Sequence, residues 1–134
     1  MKNNNIIENN GEGGFLAYDS KGLISNEKLG IIKNQGYNGF YTRNCQNMKN
    51  YGIIENNGNS GMFVDSHSFG ENFGIIKNTK DNGVYTYQSH FINTKNGIVK
   101  NNGSFGIYIS KGSFGENYGV VKNKENYGAV STAS

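Results

Sequence analysis

Proline and tryptophan are absent from these 134 residues, and cysteine occurs once, at Cys45. A single thiol excludes an intramolecular disulfide and a thiol-built metal cluster, and it leaves the redox compartment unread. Charge is sparse as well. Only 17% of the residues are charged and the net charge is +3, carried by scattered lysines with no basic patch, which argues against nucleic acid as a partner. No apolar stretch approaches the roughly 7 to 15 residues of a secretion signal or the roughly 18 of a membrane helix. These residues are therefore expected to insert in no membrane directly, and any export signal is expected outside them. Hydrophobic residues make up 34%, a thin supply for a globular core, and the length suits one domain. Simple disorder is also a poor fit, because strong self-repulsion is missing and Tyr (9) and Phe (8) are plentiful.

What the chain has in quantity is Asn and Gly, about a third of all residues, arranged with a period. The phrase GIIKN or a close variant places its first Ile or Val at Ile31, Ile53, Ile75, Ile98 and Val120, and NIIEN adds Ile6. The spacings are 25, 22, 22, 23 and 22 residues. Eight residues on from each lies a glycine: Gly14, Gly39, Gly61, Gly83, Gly106 and Gly128. The added residues of the two longer spacings therefore fall in the second half of their units.

Each unit reads as short extended pieces joined by turns. The piece around Ile-Ile is too short for a helix and carries Gly at a constant place, so a strand is expected. The piece after the second Gly is β-branched and aromatic, as in Phe40-Tyr41-Thr42 or Ile107-Tyr108-Ile109, and is a second strand. The NNG segments between them (Gly11, Gly36, Gly58, Gly103) are expected to supply positive φ at a corner. A third piece carries Leu23, Met48, Phe69, Phe91 and Phe114 before an Asn-rich return, and strand character is expected there too.

Alternation decides the facing. Lys or Glu recurs at Glu8, Lys33, Glu55, Lys77, Lys100 and Lys122, so that side of the first strand is wet. Ile7, Ile32, Ile54, Ile76, Val99 and Val121 then form a buried row. In the second strand Phe15, Phe40, Met62, Val84, Ile107 and Ala129 are expected inside, with Leu16, Tyr41, Phe63, Tyr85, Tyr108 and Val130 outside. One unit of about 22 residues cannot offset an ordering cost of roughly 1–2 kcal/mol per residue, so units must stack. The expected fold is all-β: a parallel β-solenoid of about six coils of 22 to 25 residues, one array over residues 1–134, with strands about 4.8 Å apart. Asn9, Asn34, Asn56, Asn78, Asn101 and Asn123 are expected to form an Asn ladder at an inward corner.

The strings NYGIIENNGNSGMFV, NGIVKNNGSFGIYIS and ENYGVVKN resemble the Asn/Gly/Ile-rich passenger repeats of surface proteins in the autotransporter and adhesin class of low-GC bacteria. That resemblance implies a right-handed parallel β-helix, an extracellular or cell-surface location, and a structural or display role without catalysis. It also implies a segment of a longer protein, because the family's signal peptide and membrane barrel are not among these residues. A rival reading is an antiparallel hairpin array like the MORN repeats, which the aromatic-Gly pairs at Tyr51, Phe73 and Tyr118 resemble slightly.

Chemistry-bearing residues are few, and no cofactor is expected. Asp19, Asp65 and Asp81 sit at different places in the repeat, so stacking does not gather them. Glu8 and Glu55 share a place but bracket Lys33, a pattern of charge pairing between coils. Asp65 and His67 would share a strand face, and His90 lies one coil on, yet neither a nucleophile nor a third metal ligand accompanies them. Thr42 and Thr86 do not form the threonine array of an ice-binding surface. The outer aromatic row of Tyr41, Phe63, Tyr85 and Tyr108 is the candidate contact surface for a host glycan or protein. A carbohydrate-active or carbohydrate-binding β-helix and a self-associating fibre unit are the alternative readings. Unguarded strand edges at both ends favour end-to-end association.

Overall fold

In the computed structural model, which describes residues 1–132, the chain winds through six coils, each of three short strands joined by three corners. Three six-stranded sheets result. One holds β2 (Ile6–Asn9), β5 (Ile31–Asn34), β8 (Ile53–Asn56), β11 (Ile75–Asn78), β14 (Ile98–Asn101) and β17 (Val120–Asn123). The aromatic-rich sheet holds β3 (Gly13–Tyr18), β6 (Asn38–Arg43), β9 (Ser60–Asp65), β12 (Asn82–Tyr87), β15 (Phe105–Ser110) and β18 (Tyr127–Ser131). The third holds β1 (Lys2–Asn3), β4 (Ile24–Asn26), β7 (Met48–Asn50), β10 (Phe69–Asn72), β13 (His90–Asn93) and β16 (Phe114–Asn117). Every strand pairs in parallel with its equivalent one coil away, with like residues in register, as in Ile31↔Ile53 and Ile53↔Ile75. The fold is the parallel β-solenoid, and the antiparallel hairpin array is excluded by that direction.

The core is two rows facing a third. Ile32, Ile54, Ile76 and Val99 are fully buried, with Ile7 and Val121 of the end coils packed partly against them. Phe15, Phe40, Met62, Val84 and Ile107 are buried on the second sheet, joined by Ala17, Thr42, Val64, Thr86 and Ile109 two places on. Ala129, expected inside, is exposed because no coil lies over it. Each fully enclosed aliphatic side chain contributes about 1.5–3 kcal/mol.

The third piece is a strand, as expected, but its apolar residues do not form one row. The register runs Ile24, Met48, Gly70, Phe91, Gly115, so Leu23, Phe69 and Phe114 are not equivalents of Met48 and Phe91. Side chains from the opposite wall fill the space at the two glycines. A Cβ on Gly70 would lie 2.8 Å from Val64 Cγ2, and one on Gly115 2.4 Å from Ile109 Cδ1. Phe69 and Phe114 instead stand outside, with the His90 ring between them at centroid distances of 4.8 and 4.9 Å.

The corners bring a second correction. The NNG glycines do not supply positive φ. Among the described residues positive φ occurs at Asp19, Asn44, Ser66, His67, Gln88, Lys111 and Gly112, all on the corner between the aromatic sheet and the third sheet. The NNG glycines are there for close approach: a Cβ on Gly58 would lie 1.2 Å from Gly36 O, and one on Gly103 0.8 Å from Lys80 O. Two residues of each longer spacing come from the corner entering the Ile-Ile strand, and the third of the 25-residue spacing from the corner before the third sheet, where Tyr18 to Ile24 spans six positions against five from Arg43 to Met48. Asn26 to Ile31 and Asn93 to Ile98 span five positions, against three from Asn50 to Ile53, Asn72 to Ile75 and Asn117 to Val120. In the unit spaced by 23, the preceding corner is one residue shorter, Tyr87 to Phe91 matching Asp65 to Gly70.

Candidate functional site

The four rings proposed as a contact surface form one stack. Tyr41, Phe63, Tyr85 and Tyr108 follow one another at centroid distances of 4.9, 4.7 and 5.2 Å, with planes 15–21° apart. Spacing of about 4.8 Å between strands is close to ring thickness plus contact, so identical positions stack face to face. Their faces are thereby turned to one another, and the row offers a ligand ring edges and hydroxyls. Tyr41 Oη donates to Asp65 Oδ2 at 2.8 Å, and Ser110 Oγ donates to Tyr85 Oη at 3.2 Å. Burial, then the hydrogen bond and negative charge of Asp65, push the Tyr41 hydroxyl well above the usual phenol range.

The asparagine row Asn9, Asn34, Asn56, Asn78, Asn101 and Asn123 stacks as expected but is linked only in part. Asn56 donates to Asn78 and Asn101 to Asn123, both at 2.9 Å. Asn34 turns its amide to Gly11 O and Asn38 O instead. The Oδ1 atoms of Asn34, Asn56 and Asn101 accept no hydrogen bond. A second row, which the sequence reading missed, is continuous. Asn3, Asn26, Asn50, Asn72, Asn93 and Asn117 are joined Nδ2 to Oδ1 at 2.8, 2.9, 2.8, 2.9 and 2.8 Å. Its signal was present as an Asn three or five places before each first Ile or Val, and the two corner insertions masked its period.

The charged row pairs as alternation suggests. Lys33 Nζ lies 3.8 Å from Glu8 Oε1 and Lys77 Nζ 4.0 Å from Glu55 Oε1, with side chains near half exposed. Such pairs contribute about 0–1 kcal/mol each. Beyond Lys77 the row continues as Lys100 and Lys122, like charge over like charge. The Asp65–His67 face does not exist: β9 ends at Asp65, and positive φ at Ser66 and His67 turns the chain. His90 Nε2 sits 3.3 Å from Glu116 Oε1, a coil away from His67. Asp19 accepts from Asn44 Nδ2 at 2.8 Å, so the aspartates remain scattered. Among the described residues, no group of three or more His, Cys, Asp or Glu converges as a metal site. Thr42 and Thr86 point into the core.

One concavity coincides with the irregularities of the repeat. Tyr51 and Phe73 stack at 4.8 Å on the corner of two adjacent coils that lack the insertion and lie between the two that carry it. The inserted residues Glu27, Lys28 and Asn96 project on either side, enclosing a notch of about 420 Å3. Lys49 Nζ, paired with Glu71 at 3.1 Å, stands 5.7 Å from the Phe73 ring centre. No family model, curated protein or solved structure matches the chain.

Proposed function

We propose that this chain is a non-catalytic structural and display segment of a bacterial extracellular or cell-surface protein of the adhesin kind. The observation that carries the reading is the Asn3-to-Asn117 ladder, which ties every coil to the next through side-chain amides that are buried from Asn3 to Asn93. A column so linked resists bending, and its length grows by about 4.8 Å per coil. Those are the properties of a spacer that holds a binding surface away from a cell. The test has two arms. Duplication of one coil should lengthen the particle by that increment in small-angle scattering with the protein still soluble. The chain displayed on a non-adherent bacterium should raise attachment to host cells, and Tyr85→Ser should lower it. Turnover of acidic or neutral polysaccharides that Asp65→Ala abolishes would overturn the non-catalytic reading.

Carbohydrate binding is a second reading, favoured by the notch at Tyr51 and Phe73, where rings, a carboxylate, an amide and a lysine meet. Retardation of the chain in polysaccharide-containing gels, lost in Tyr51→Ala, is the expected result. Equal mobility with and without polysaccharide would refute it.

A further inference from the structure

Over the strand positions that both contain, the first and last coils match each other as neighbouring coils do, with one misfit. If the last coil of one copy lay under the first coil of a second, the register that relates adjacent coils would put Val120 and Val121 under Ile6 and Ile7, and Asn123 under Asn9. The same register puts Lys122 under Glu8. On the third sheet it puts Glu116 under Lys2 and Asn117 under Asn3. Both charged positions are therefore complementary, and both asparagine rows continue. The glycine at the start of the aromatic strand fits too. A Cβ on Gly106 would lie 2.3 Å from the oxygen of Gly128 in the next coil, whereas Gly128 has open space above it. The oxygen of a second copy's Gly14 would occupy that space.

The misfit is Asn5. Each later coil has glycine where Asn5 stands: the backbone N–H groups of Ile31, Ile53, Ile75, Ile98 and Val120 donate to the carbonyl oxygens of Asn5, Gly30, Gly52, Gly74 and Gly97 in turn, which marks these residues as equivalents. A Cβ on Gly52, Gly74 or Gly119 would lie 2.2 Å from a backbone oxygen of the coil below. Among the described residues no strand lies below β2, and Asn5 is exposed. A second copy arriving there meets the Asn5 side chain first.

We propose that, in the 134-residue chain taken by itself and independently of any longer protein of which it is a segment, the last coil is a docking surface for the first coil of a second copy, stacked head to tail, and that Asn5 is the residue that restrains this assembly. The attraction is the pairing of unpaired strand edges reinforced by Lys122–Glu8 and Glu116–Lys2 contacts; the restraint is one side chain against backbone.

Sedimentation of the full chain tests this. Asn5→Gly is expected to tighten self-association by about tenfold or more. In that background Gly128→Ala should reverse the gain, with the thermal midpoint of the monomer unchanged because its Cβ is unopposed there. In the same Asn5→Gly background, Lys122→Glu and Glu8→Lys should each associate poorly alone, by like charge at the junction, and associate again when the two chains are mixed, since every mixed junction is then opposite in charge. Asn5→Gly remaining monomeric at millimolar concentration, Gly128→Ala leaving its assembly intact, or mixing without recovery would each overturn the proposal.

Discussion

The buried amide ladder makes a claim that one substitution tests. Asn72 is fully buried; its Nδ2 donates to Asn93 Oδ1 at 2.9 Å and Gly74 O at 3.1 Å, while its Oδ1 accepts from Asn50 Nδ2 at 2.8 Å and Gly74 N at 3.2 Å. In Asn72→Ala the Asn50 amide keeps Gly52 O at 3.3 Å. Asn93 Oδ1 and the Gly74 N–H lose their partner. Stranding a polar group away from water costs about 1–3 kcal/mol, so the pair costs about 2–6 kcal/mol, the lower end applying where a water enters. With a urea slope of about 2 kcal/mol per molar, that is a midpoint shift of about 1–3 M. The control is Asn102→Ala, an exposed asparagine of the same column, where about 0.5 kcal/mol or less is expected. Asn72→Asp sharpens the test. Burial and facing oxygens raise a carboxyl there above its unfolded value, so the folded state is favoured while the group is protonated. That contribution is complete below the unfolded pKa and is lost as pH rises through the folded one. The deficit of Asn72→Asp against the parent should therefore be smaller near pH 3 than at pH 7. A cost for Asn72→Ala equal to that of Asn102→Ala, or a pH-independent deficit for Asn72→Asp, refutes the ladder as a source of stability.

Ile54→Ala should destabilise by about 2–5 kcal/mol and Ile53→Ala clearly less, because Ile54 is enclosed and Ile53 only half-buried; equal losses in denaturant melts would contradict the facing. Gly58→Ala drives a Cβ into the backbone oxygen of Gly36 and should cost about 3 kcal/mol or more, while Gly22→Ala, with nothing near, should be silent in the same thermal scans. In ultraviolet titration, Tyr41 should keep its proton well above the usual phenol range while the chain is folded. Its raised pKa means stability that is whole below the unfolded value of about 10 and declines as pH climbs above it. Tyr41→Phe should remove that part of the alkaline decline, and an unchanged profile would count against the Asp65 contact.

The outer surface explains how so lean a composition folds. Many of the rings that face water do so in stacks, Tyr51 on Phe73 and Phe63 between Tyr41 and Tyr85, so each such ring shields its neighbours, while Leu29, Tyr37 and Tyr118 stand exposed. The stack also turns those ring faces toward one another, leaving edges and hydroxyls to solvent.

Period and alternation, read from the residues alone, determined the coil, the parallel pairing, the Ile/Val row from Ile7 to Val121 and the outer ring row. Each of these follows from strand geometry, where a side chain's face depends only on its place along the strand and like positions sit over one another. Tertiary structure decided the rest. Gly70 and Gly115 hold inward places because Val64, Met62 and Ile109 reach across from another wall, and that distance is not local to either strand. Gly36, Gly58 and Gly103 answer to the backbone of the preceding coil rather than to their own φ. The continuous asparagine ladder, masked by the insertions after Asn26 and Asn93, emerges only once corners of unequal length are closed in three dimensions, because a hydrogen bond responds to separation in space and not to count along the chain.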